Sequence, residues 1–495
     1  MKILLIEPAK PPLSIGGEDI FLYEPLALEY IAAGVITDHD VEILDMRLDK
    51  NLEEVLACFQ PDVVGLTAYT VHVNTVRWLA EEIKARYPQI LIVVGGHHAT
   101  VLPADFLSPA IDVVVKGEGV FTFRQLIERY ERRAGFADVP GLAINQGGDQ
   151  LDNGSRSISN LDALPYPTRR LTAKYRKHYF SEWMKPLASI RTSKGCPFRC
   201  NFCAQWKLAE GKYLPRNPQT IVAELGQIEE PYVFFADDES LVDTIRMGKL
   251  AALIKTSGIH KQYFLYGRSD TIAQNPSLLA AWKEIGLERI FVGLEFFRNE
   301  DLDYVQKSCT TEDNERAIQI LADLDLEMYA SFIVRPDFTR EDFSAFRRYC
   351  RELELSFASF AVLTPLPGTD LFADLKDRLL TKNYDFFDFI HTVLPTQLSM
   401  KDFYTEYSRL LWNAVPFNRS LAFLRRFAWR EIPPIVPKTF RLWRRLRNIH
   451  KDYEDLANIR PVSIMNGADR LLTSSSRQPT GDDIIGPCTS PSEKS

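Results

Sequence analysis

Short apolar runs rich in β-branched residues alternate with amphipathic stretches over residues 1–135. The stretch 73–87 carries apolar side chains three or four positions apart, which indicates a helix. Strands that are buried on both faces and separated by helices form a parallel, doubly wound sheet. The pattern therefore predicts an α/β domain with strands at residues 2–6, 41–45, 62–67, 90–94 and 112–116.

Five such strands favour the flavodoxin-like order, whose ligand crevice lies at the carboxyl ends of the strands. Glycine and polar residues follow the strands at this edge. Thr67 ends the third strand, Gly95-Gly96-His97 follows the fourth, and Gly117-Glu118 follows the fifth. Because glycine lets a ligand approach the backbone closely, we expect a ligand at this edge.

A second series of strands and helices begins near residue 188, after a stretch (146–160) whose Gly, Asp, Asn and Ser residues predict a linker. Its six strands do not close an eight-stranded barrel, so the pattern predicts an open, partial TIM-like barrel, (β/α)6. Chemistry in such barrels collects at the carboxyl ends of the strands. The predicted strands are 188–192, 232–236, 263–267, 289–295, 328–334 and 358–363.

The chain beyond residue 373 changes to helical patterns rich in aromatic residues and arginine. The last 25 residues are rich in Ser, Pro, Gly and Asp, a composition typical of disorder. We therefore predict a first domain (1–145), a linker (146–185), a barrel (186–373), a C-terminal helical region (374–470) and a disordered tail (471–495).

Composition narrows the classes of protein that remain. The 495 residues carry a formal net charge of −7, which gives no reason to expect nucleic acid as a partner. No window approaches ~18 uninterrupted apolar residues, so no membrane-spanning helix is predicted. The first apolar run is too short and too soon interrupted for a secretory signal. We therefore expect a cytoplasmic protein.

Three cysteines follow the first predicted barrel strand at C-x3-C-x2-C spacing: Cys196, Cys200 and Cys203. Three thiolates on one loop can hold three irons of a [4Fe–4S] cube and leave the fourth iron open for another ligand. A zinc site usually needs four ligands in two pairs, and no second pair of cysteines is present. The spacing therefore favours an iron–sulfur loop whose open iron faces the strand-end cleft.

The loop resembles that of the radical S-adenosylmethionine (SAM) enzymes, in its spacing and in its opening Gly195-Cys196-Pro197. The resemblance implies that the three cysteines ligate the cluster and that SAM chelates the open iron. The radical is carried by SAM, so no residue is assigned as catalytic. The alternatives are buried salt bridges for Arg268 and Glu295 and a simple turn at Pro367. The implied SAM-binding residues are Asp237, Asp238, Arg268, Glu295 and Pro367.

The first domain is similar to the cobalamin-binding domain that precedes the barrel in one class of radical SAM enzymes. The similarity lies in residues 24–33, 64–67, 94–100 and 116–119. The D-x-H-x-x-G motif that supplies an axial histidine elsewhere is absent, as is typical of this class. The alternative is a nucleotide-binding or purely structural flavodoxin-like domain. The implied cobalamin-binding residues are Thr67, Gly95, Gly96, His97, Gly117 and Glu118.

The two resemblances together imply a cobalamin-dependent radical SAM methyltransferase, in which methylcobalamin supplies a methyl group to an unactivated carbon. Residues 380–388 and 391–396 resemble the hopanoid C-3 methylases, which implies a polycyclic isoprenoid lipid as substrate. The resemblance also implies an electron donor such as flavodoxin or ferredoxin. The basic, aromatic segment 417–451, with ten Lys or Arg and one Glu, predicts either peripheral membrane contact or a solvated helical face.

Three other functions stay open. A cobalamin-dependent radical SAM enzyme can cyclise or rearrange its substrate without methyl transfer. A methylthiotransferase is disfavoured because it needs further cluster cysteines in the first domain, where Cys58 is the only cysteine. A non-catalytic cobalamin or redox sensor would use the cluster as a structural element or a switch.

Overall fold

The computed structural model describes residues 1–15, 17–156, 160–427 and 432–454 of the chain. The predicted disordered tail, residues 455–470 of the helical region and residues 428–431 of segment 417–451 lie outside the described residues. Within the described ranges, no helix combines the length and apolar character that crossing a membrane requires.

In its described residues, the first domain contains eight strands and five α-helices. The strands are β1 (Lys2–Glu7), β2 (Phe21–Leu22), β3 (Asp40–Asp45), β4 (Val63–Thr67), β5 (Leu91–Gly95), β6 (Val113–Val115), β7 (Leu142–Gln146) and β8 (Asp149–Asp152). The helices are α1 (Leu26–Ala33), α2 (Leu52–Phe59), α3 (Val73–Arg86), α4 (His97–Val101) and α5 (Gly119–Glu131).

Seven of these strands form one sheet in the order β3-β1-β4-β5-β6-β7-β8, and the first five are parallel. This is the flavodoxin-like order, so the predicted fold is confirmed. Ile3 and Leu5 of β1 pack toward α1 and α5, whereas Leu4 and Ile6 pack toward α2 and α3. Burial on both faces explains why the strands are nearly continuous apolar runs.

The sheet extends into the predicted linker, and this part of the prediction is wrong. Residues 146–152 lie in an antiparallel hairpin in which β7 pairs with β6 and β8 pairs with β7. Gly147 and Gly148 link the two strands with φ of 63° and 92°. Two positive φ angles in a two-residue loop match the twist of a hairpin, which is why two glycines stand there.

The second domain is built on six parallel strands that pair in chain order, β10-β13-β14-β15-β16-β17, and form an open, partial barrel as predicted. Two short strand pairs, β2 with β9 and β11 with β12, lie outside it. The strands are β9 (Phe180–Ser181), β10 (Leu187–Ile190), β11 (Ser193–Lys194), β12 (Leu214–Pro215), β13 (Tyr232–Phe235), β14 (Gln262–Arg268), β15 (Leu287–Glu295), β16 (Glu327–Val334) and β17 (Ala358–Val362).

The barrel helices cover the outer face of the strands and share one large apolar core with them. They are α6 (Gln205–Leu208), α7 (Pro218–Leu225), α8 (Thr244–Ser257), α9 (Ser269–Gln274), α10 (Pro276–Glu284), α11 (Asn299–Tyr304), α12 (Thr311–Asp323), α13 (Arg340–Glu352) and α14 (Asp370–Leu375). The C-terminal region adds α15 (Met400–Asn413), α16 (Phe417–Leu424) and α17 (Ile432–Arg447).

The C-terminal region also joins the barrel to the first domain. Asn74 of α3 donates to the side chains of Asn383 at 2.7 Å and Asp385 at 3.0 Å. The backbone N–H of Ile15 donates to Asp388 at 2.7 Å. These contacts span more than 300 residues of sequence, so they hold the two domains in one arrangement.

The stability of this junction is expected to depend on pH through His391, which is fully buried. Its ring nitrogens lie 2.9 Å from Asp388 and 3.0 Å from Asp452. Burial alone would lower the pKa of His391, but the two carboxylates raise it above its ordinary value. Because the folded pKa is the higher one, the stabilisation is complete below pH ~6.5 and is lost as the pH rises through the raised pKa.

We therefore expect the urea midpoint of the wild type to fall between pH 6 and pH 8, and the fall to be smaller in His391→Gln. The exposed His260 provides the control, because His260→Gln should keep the wild-type pH dependence. An unchanged pH dependence in His391→Gln would contradict the assignment.

Candidate active site

The cysteine loop follows β10 and β11 and is held by two aspartates at the end of β13. Asp237 accepts hydrogen bonds from the backbone N–H of Thr192 at 2.6 Å and of Ser193 at 2.8 Å. Asp238 accepts from the N–H of Gly195 at 2.6 Å. Burial raises the pKa of both carboxyls above the ordinary value, against the effect of these hydrogen bonds. The SAM-binding roles of Asp237 and Asp238 stay predictions, and the contacts observed are with the loop.

The loop itself requires a glycine at its first turn. Gly195 has φ +87°, and a Cβ there would overlap the backbone carbonyl oxygen of Lys212. Cys200 is buried, while Cys196 and Cys203 are half-buried. Burial raises the pKa of the Cys196 thiol to about 11 and that of Cys203 to about 12. Iron coordination deprotonates a thiol outright, so three sulfurs on one enclosed loop suit a bound [4Fe–4S] cluster.

Arg268 at the end of β14 braces the same loop. Its guanidinium stacks 3.7 Å from the ring centroid of Phe198, which lies between the first two cysteines. It donates twice to Asp270, at 3.0 Å for each bond, and once to the carbonyl of Lys307 at 2.6 Å. These contacts agree with the salt bridge considered from the sequence, and binding of SAM by Arg268 stays a prediction.

Glu295 at the end of β15 forms a buried ion pair with Lys307, a residue that sequence reasoning missed. Their oxygen and nitrogen lie 2.7 Å apart, and both residues are 7% exposed. Glu295 takes a left-handed φ of 60°, an uncommon conformation that places its carboxylate above Gly293. A Cβ at Gly293 would overlap this carboxylate. The sequence offered one signal for this pair, a carboxylate at the end of a strand predicted to be buried. Because a buried charge needs a partner, this position predicts a cation nearby.

Substitution of Lys307 tests how much its ion pair with Glu295 contributes to the free energy of unfolding. We expect Lys307→Met to lower the free energy of unfolding by about 3–5 kcal/mol, because Glu295 would stay buried without a partner. The double variant Glu295→Gln/Lys307→Met should recover part of the loss. The same substitution in an exposed pair, Lys255→Met beside Glu284, should change little. Equal urea midpoints for Lys307→Met and Lys255→Met would contradict the assignment.

Pro367 follows β17 in a turn that reaches the first domain. Gly368, the next residue, has φ +87°, and a Cβ there would stand 2.8 Å from Val101 at the end of α4. The turn therefore packs against the first domain at the level of the strand ends. The observed contact agrees with the simple turn considered from the sequence, and a SAM contact by Pro367 stays a prediction.

A cavity of about 300 Å³ lies where the carboxyl ends of the two sets of strands face each other. The barrel side of its lining includes Arg191, Ser193, Lys194 and Asp238. Asp238 therefore lines the cavity and also holds the cysteine loop. All six residues predicted to bind cobalamin line this one cavity: Thr67, Gly95, Gly96, His97, Gly117 and Glu118.

The cavity has a polar mouth and an apolar depth. Its depth runs under the sheet edge beside Leu5, Val93 and Phe123. At the mouth, the buried Nε2 of His97 and the buried Oγ of Ser193 accept or donate no hydrogen bond within the part of the chain that the structure describes. Gly96 has φ +102°, and a Cβ there would stand 2.7 Å from Oγ1 of Thr67. Exposed backbone, unpartnered polar atoms and an apolar slot suit one part of cobalamin, a cofactor with polar and apolar parts that is larger than this cavity.

Glu118 connects the first domain with the barrel at this mouth. Its carboxylate lies 3.4 Å from Arg191 and 3.4 Å from Lys194. Burial alone would raise its pKa, but these two cations hold the pKa below the ordinary value. Glu118 is therefore an ionised link between the cavity and the strand that leads into the cysteine loop.

Comparison with known proteins identifies both domains. A family model of the B12 binding domain matches residues 17–127, and a model of the Radical SAM superfamily matches residues 190–350. The chain is 32% identical over 414 residues to hopanoid C-3 methylase of Methylococcus capsulatus, covering 82% of this chain and 78% of the relative. It is 27% identical to anaerobic magnesium-protoporphyrin IX monomethyl ester cyclase of Rubrivivax gelatinosus, covering 80% and 73%.

Solved structures share the fold. The cobalamin-dependent S-adenosylmethionine radical enzyme OxsB, with aqua-cobalamin and SAM bound, gives a TM-score of 0.68 at 16% identity, covering 90% of this chain and 71% of that chain. The radical SAM methyltransferase TsrM from Kitasatospora setae gives 0.61 at 20% identity, covering 76% of each chain.

The predicted cofactors, cobalamin, SAM and a [4Fe–4S] cluster, are confirmed by these domain assignments. The open iron–sulfur loop, the cavity between two sets of strand ends and the similarity across most of the chain agree with one another. The chain is therefore a cobalamin-dependent radical SAM enzyme, and it belongs to the family of radical SAM methyltransferases that includes hopanoid C-3 methylase.

Proposed function

We propose that this enzyme methylates an unactivated carbon of a polycyclic isoprenoid lipid of the hopanoid type. The observation that supports methyl transfer is that two sets of residues line one cavity. These are the six residues predicted to bind cobalamin and Asp238, which holds the cysteine loop. When bound, the cluster and SAM supply a hydrogen-abstracting radical, and cobalamin supplies a methyl group. The facing strand ends support the positions proposed for the two cofactor sites.

In this proposal the side chains position the reaction. Asp237 and Asp238 hold the cysteine loop by its backbone, and Arg268 stacks on the ring of Phe198 in the same loop. Burial raises the pKa of the Cys200 thiol, and the charge of Lys307 opposes this rise, whereas its partner Glu295 adds to it. Cys196, Cys200 and Cys203 are proposed as the cluster ligands.

The inner face of the barrel supports a flat, apolar substrate. A continuous line of rings crosses it: centroids lie 4.9 Å apart for Tyr266 and Phe291, 5.1 Å for Phe291 and Tyr329, and 4.6 Å for Tyr329 and Phe357. The strand register places Gly293, Ser331 and Ser359 side by side, nearer the carboxyl ends. Ser331 and Ser359 put small side chains beside this aromatic surface, whereas the space over Gly293 is taken by the carboxylate of Glu295. The 32% identical relative, a hopanoid methylase, supports the same class.

We also propose an electron donor of the flavodoxin or ferredoxin type, a cytoplasmic location and contact of segment 417–451 with a membrane surface. The domain division is proposed as a first domain, a connecting segment that begins after residue 152, the barrel to residue 373 and the helical region beyond it. The last strand of the first sheet, which ends at Asp152, supports the later start of the connecting segment.

The decisive experiment supplies reconstituted enzyme with cobalamin, reductant, SAM labelled on its methyl group, and the hopanoid diploptene. We expect 5′-deoxyadenosine and a product heavier by one labelled methyl group. A product without added methyl would instead support the cyclase class, which a 27% identical relative favours. Absence of both 5′-deoxyadenosine and product, with cluster and cobalamin bound, would support a sensor.

A further inference from the structure

A second cavity, of about 180 Å³, lies far from the cofactors, between the beginning of α15 and the end of α17. Three cations that are charged at neutral pH line it, Lys401 from α15 and Arg444 and Arg447 from α17. Among the residues that the structure describes, no carboxylate lines this cavity. The remaining lining residues are Thr405, Trp443, Asn448 and His450.

The carboxylates on the adjoining elements already have partners. Asp402 pairs with Arg340 at 2.9 Å, Glu406 with Arg347 at 2.8 Å, and Asp452 with Arg445 at 2.6 Å. Across the described part of the chain, the charged ends of Lys401, Arg444 and Arg447 have no ion pair or hydrogen bond of their own. Three cations around one cavity thus lack an anion.

The helix ends favour an anion at the same place. Lys401 stands in the first turn of α15, which begins at Met400. The amino end of a helix carries a partial positive charge, which Asp402 in the same turn offsets. Because Asp402 already pairs with Arg340 at 2.9 Å, a further anion beside Lys401 would still be favourable. Arg444 and Arg447 alone could simply complement the carboxyl end of α17. The lysine of the other helix is not explained in that way.

Exposed aromatic side chains border the cavity. Trp412 is 57% exposed and Phe440 is 55% exposed. Their ring centroids lie 6.2 Å and 5.7 Å from Trp443, which lines the cavity, and the guanidinium of Arg447 lies 5.0 Å from the same ring. Tryptophan and arginine place an apolar body in a lipid interface and a polar group at its headgroups.

We propose that this face, defined by Lys401, Trp412, Phe440, Arg444 and Arg447, is a docking site for an anionic phospholipid membrane, with the headgroup phosphate in the cationic cavity. The two aromatic residues would enter the boundary between headgroups and acyl chains. This inference deepens the membrane contact of the proposed function, but it does not depend on methyl transfer. A membrane-held enzyme would meet a lipid substrate where that substrate resides.

The test is flotation of the full chain, loaded with cluster and cobalamin, with vesicles of phosphatidylglycerol and phosphatidylcholine or of phosphatidylcholine alone. We expect binding to the anionic vesicles, weakened at least about tenfold in Arg444→Glu/Arg447→Glu and in Lys401→Glu. Arg132→Glu/Arg133→Glu, the same change at exposed arginines of the first domain, should float like the wild type. An equal loss of vesicle binding in this control would show that the effect depends on net charge alone, and the proposed docking site would be wrong.

A second arm separates the membrane from free phosphate. Trp412→Ser/Phe440→Ser keeps every cation and should also weaken flotation, since the proposal requires apolar insertion. If inorganic phosphate raises the melting temperature of the wild type while anionic vesicles do not bind, the cavity is a soluble-anion site and the proposal is wrong. Flotation needs neither substrate nor reductant, so its failure is distinct from failure of methyl transfer.

Discussion

Cys200→Ala is expected to reduce 5′-deoxyadenosine formation to the background of enzyme-free controls. Cys200 is the middle and most buried of the three loop thiols, and one iron of the cube would lose its protein ligand. The purified variant should contain little iron and lack the visible absorbance of the cluster. Its binding of hydroxocobalamin should persist, because Cys200 does not line the cofactor cavity.

Cys350→Ala is the matched control. Cys350 is fully buried on α13, in the apolar core of the barrel and away from the cysteine loop. The variant should lose some stability through packing but retain iron and cleavage of SAM. Full iron content and SAM cleavage in Cys200→Ala would show that the loop does not hold the cluster as proposed.

Gly95→Leu is expected to weaken hydroxocobalamin binding by about tenfold or more, with iron content unchanged. A Cβ at Gly95 has ordinary contacts, the nearest being 3.7 Å to the carbonyl of Val115, so the strand can accept a side chain. The rest of the leucine would occupy the cavity that Gly95 lines. Binding is measured by equilibrium dialysis or by the change in the cobalamin spectrum.

Gly135→Leu makes the same change in the same domain at an exposed position, where a Cβ meets nothing within 4 Å. It should bind hydroxocobalamin as the wild type does. Wild-type affinity in Gly95→Leu would move the cofactor away from this cavity, whereas loss in both variants would indicate damage to the domain as a whole.

Periodicity was sufficient for the two folds because the central parallel strands, such as β4 and β10, are buried on both faces. Such strands are nearly continuous apolar runs in the sequence, and the helices between them predict a parallel sheet. The same reasoning failed at 146–152, where polar composition concealed an edge hairpin. The Gly147-Gly148 pair was the available signal, since two adjacent glycines between short segments are typical of a two-residue turn.

The candidate site was only partly predictable. Strand-end position located Asp237, Asp238, Arg268 and Glu295, because the carboxyl ends of barrel strands meet at one edge. Which groups these side chains contact depended on the loops that fold back over that edge. Lys307, for example, lies on a loop twelve residues beyond Glu295 and contacts it only through the turn of the chain.

Three cysteines at fixed spacing and glycines at successive strand ends are local patterns, and with the family resemblance they were enough to predict the cofactors. The folded arrangement was needed to show that the two strand-end edges face each other across one cavity and that the aspartates anchor the loop. It was also needed to bring three cations around one cavity that has no carboxylate among its described lining residues. Each of these arrangements joins segments that are distant in sequence, and only the packing of the chain brings such segments together.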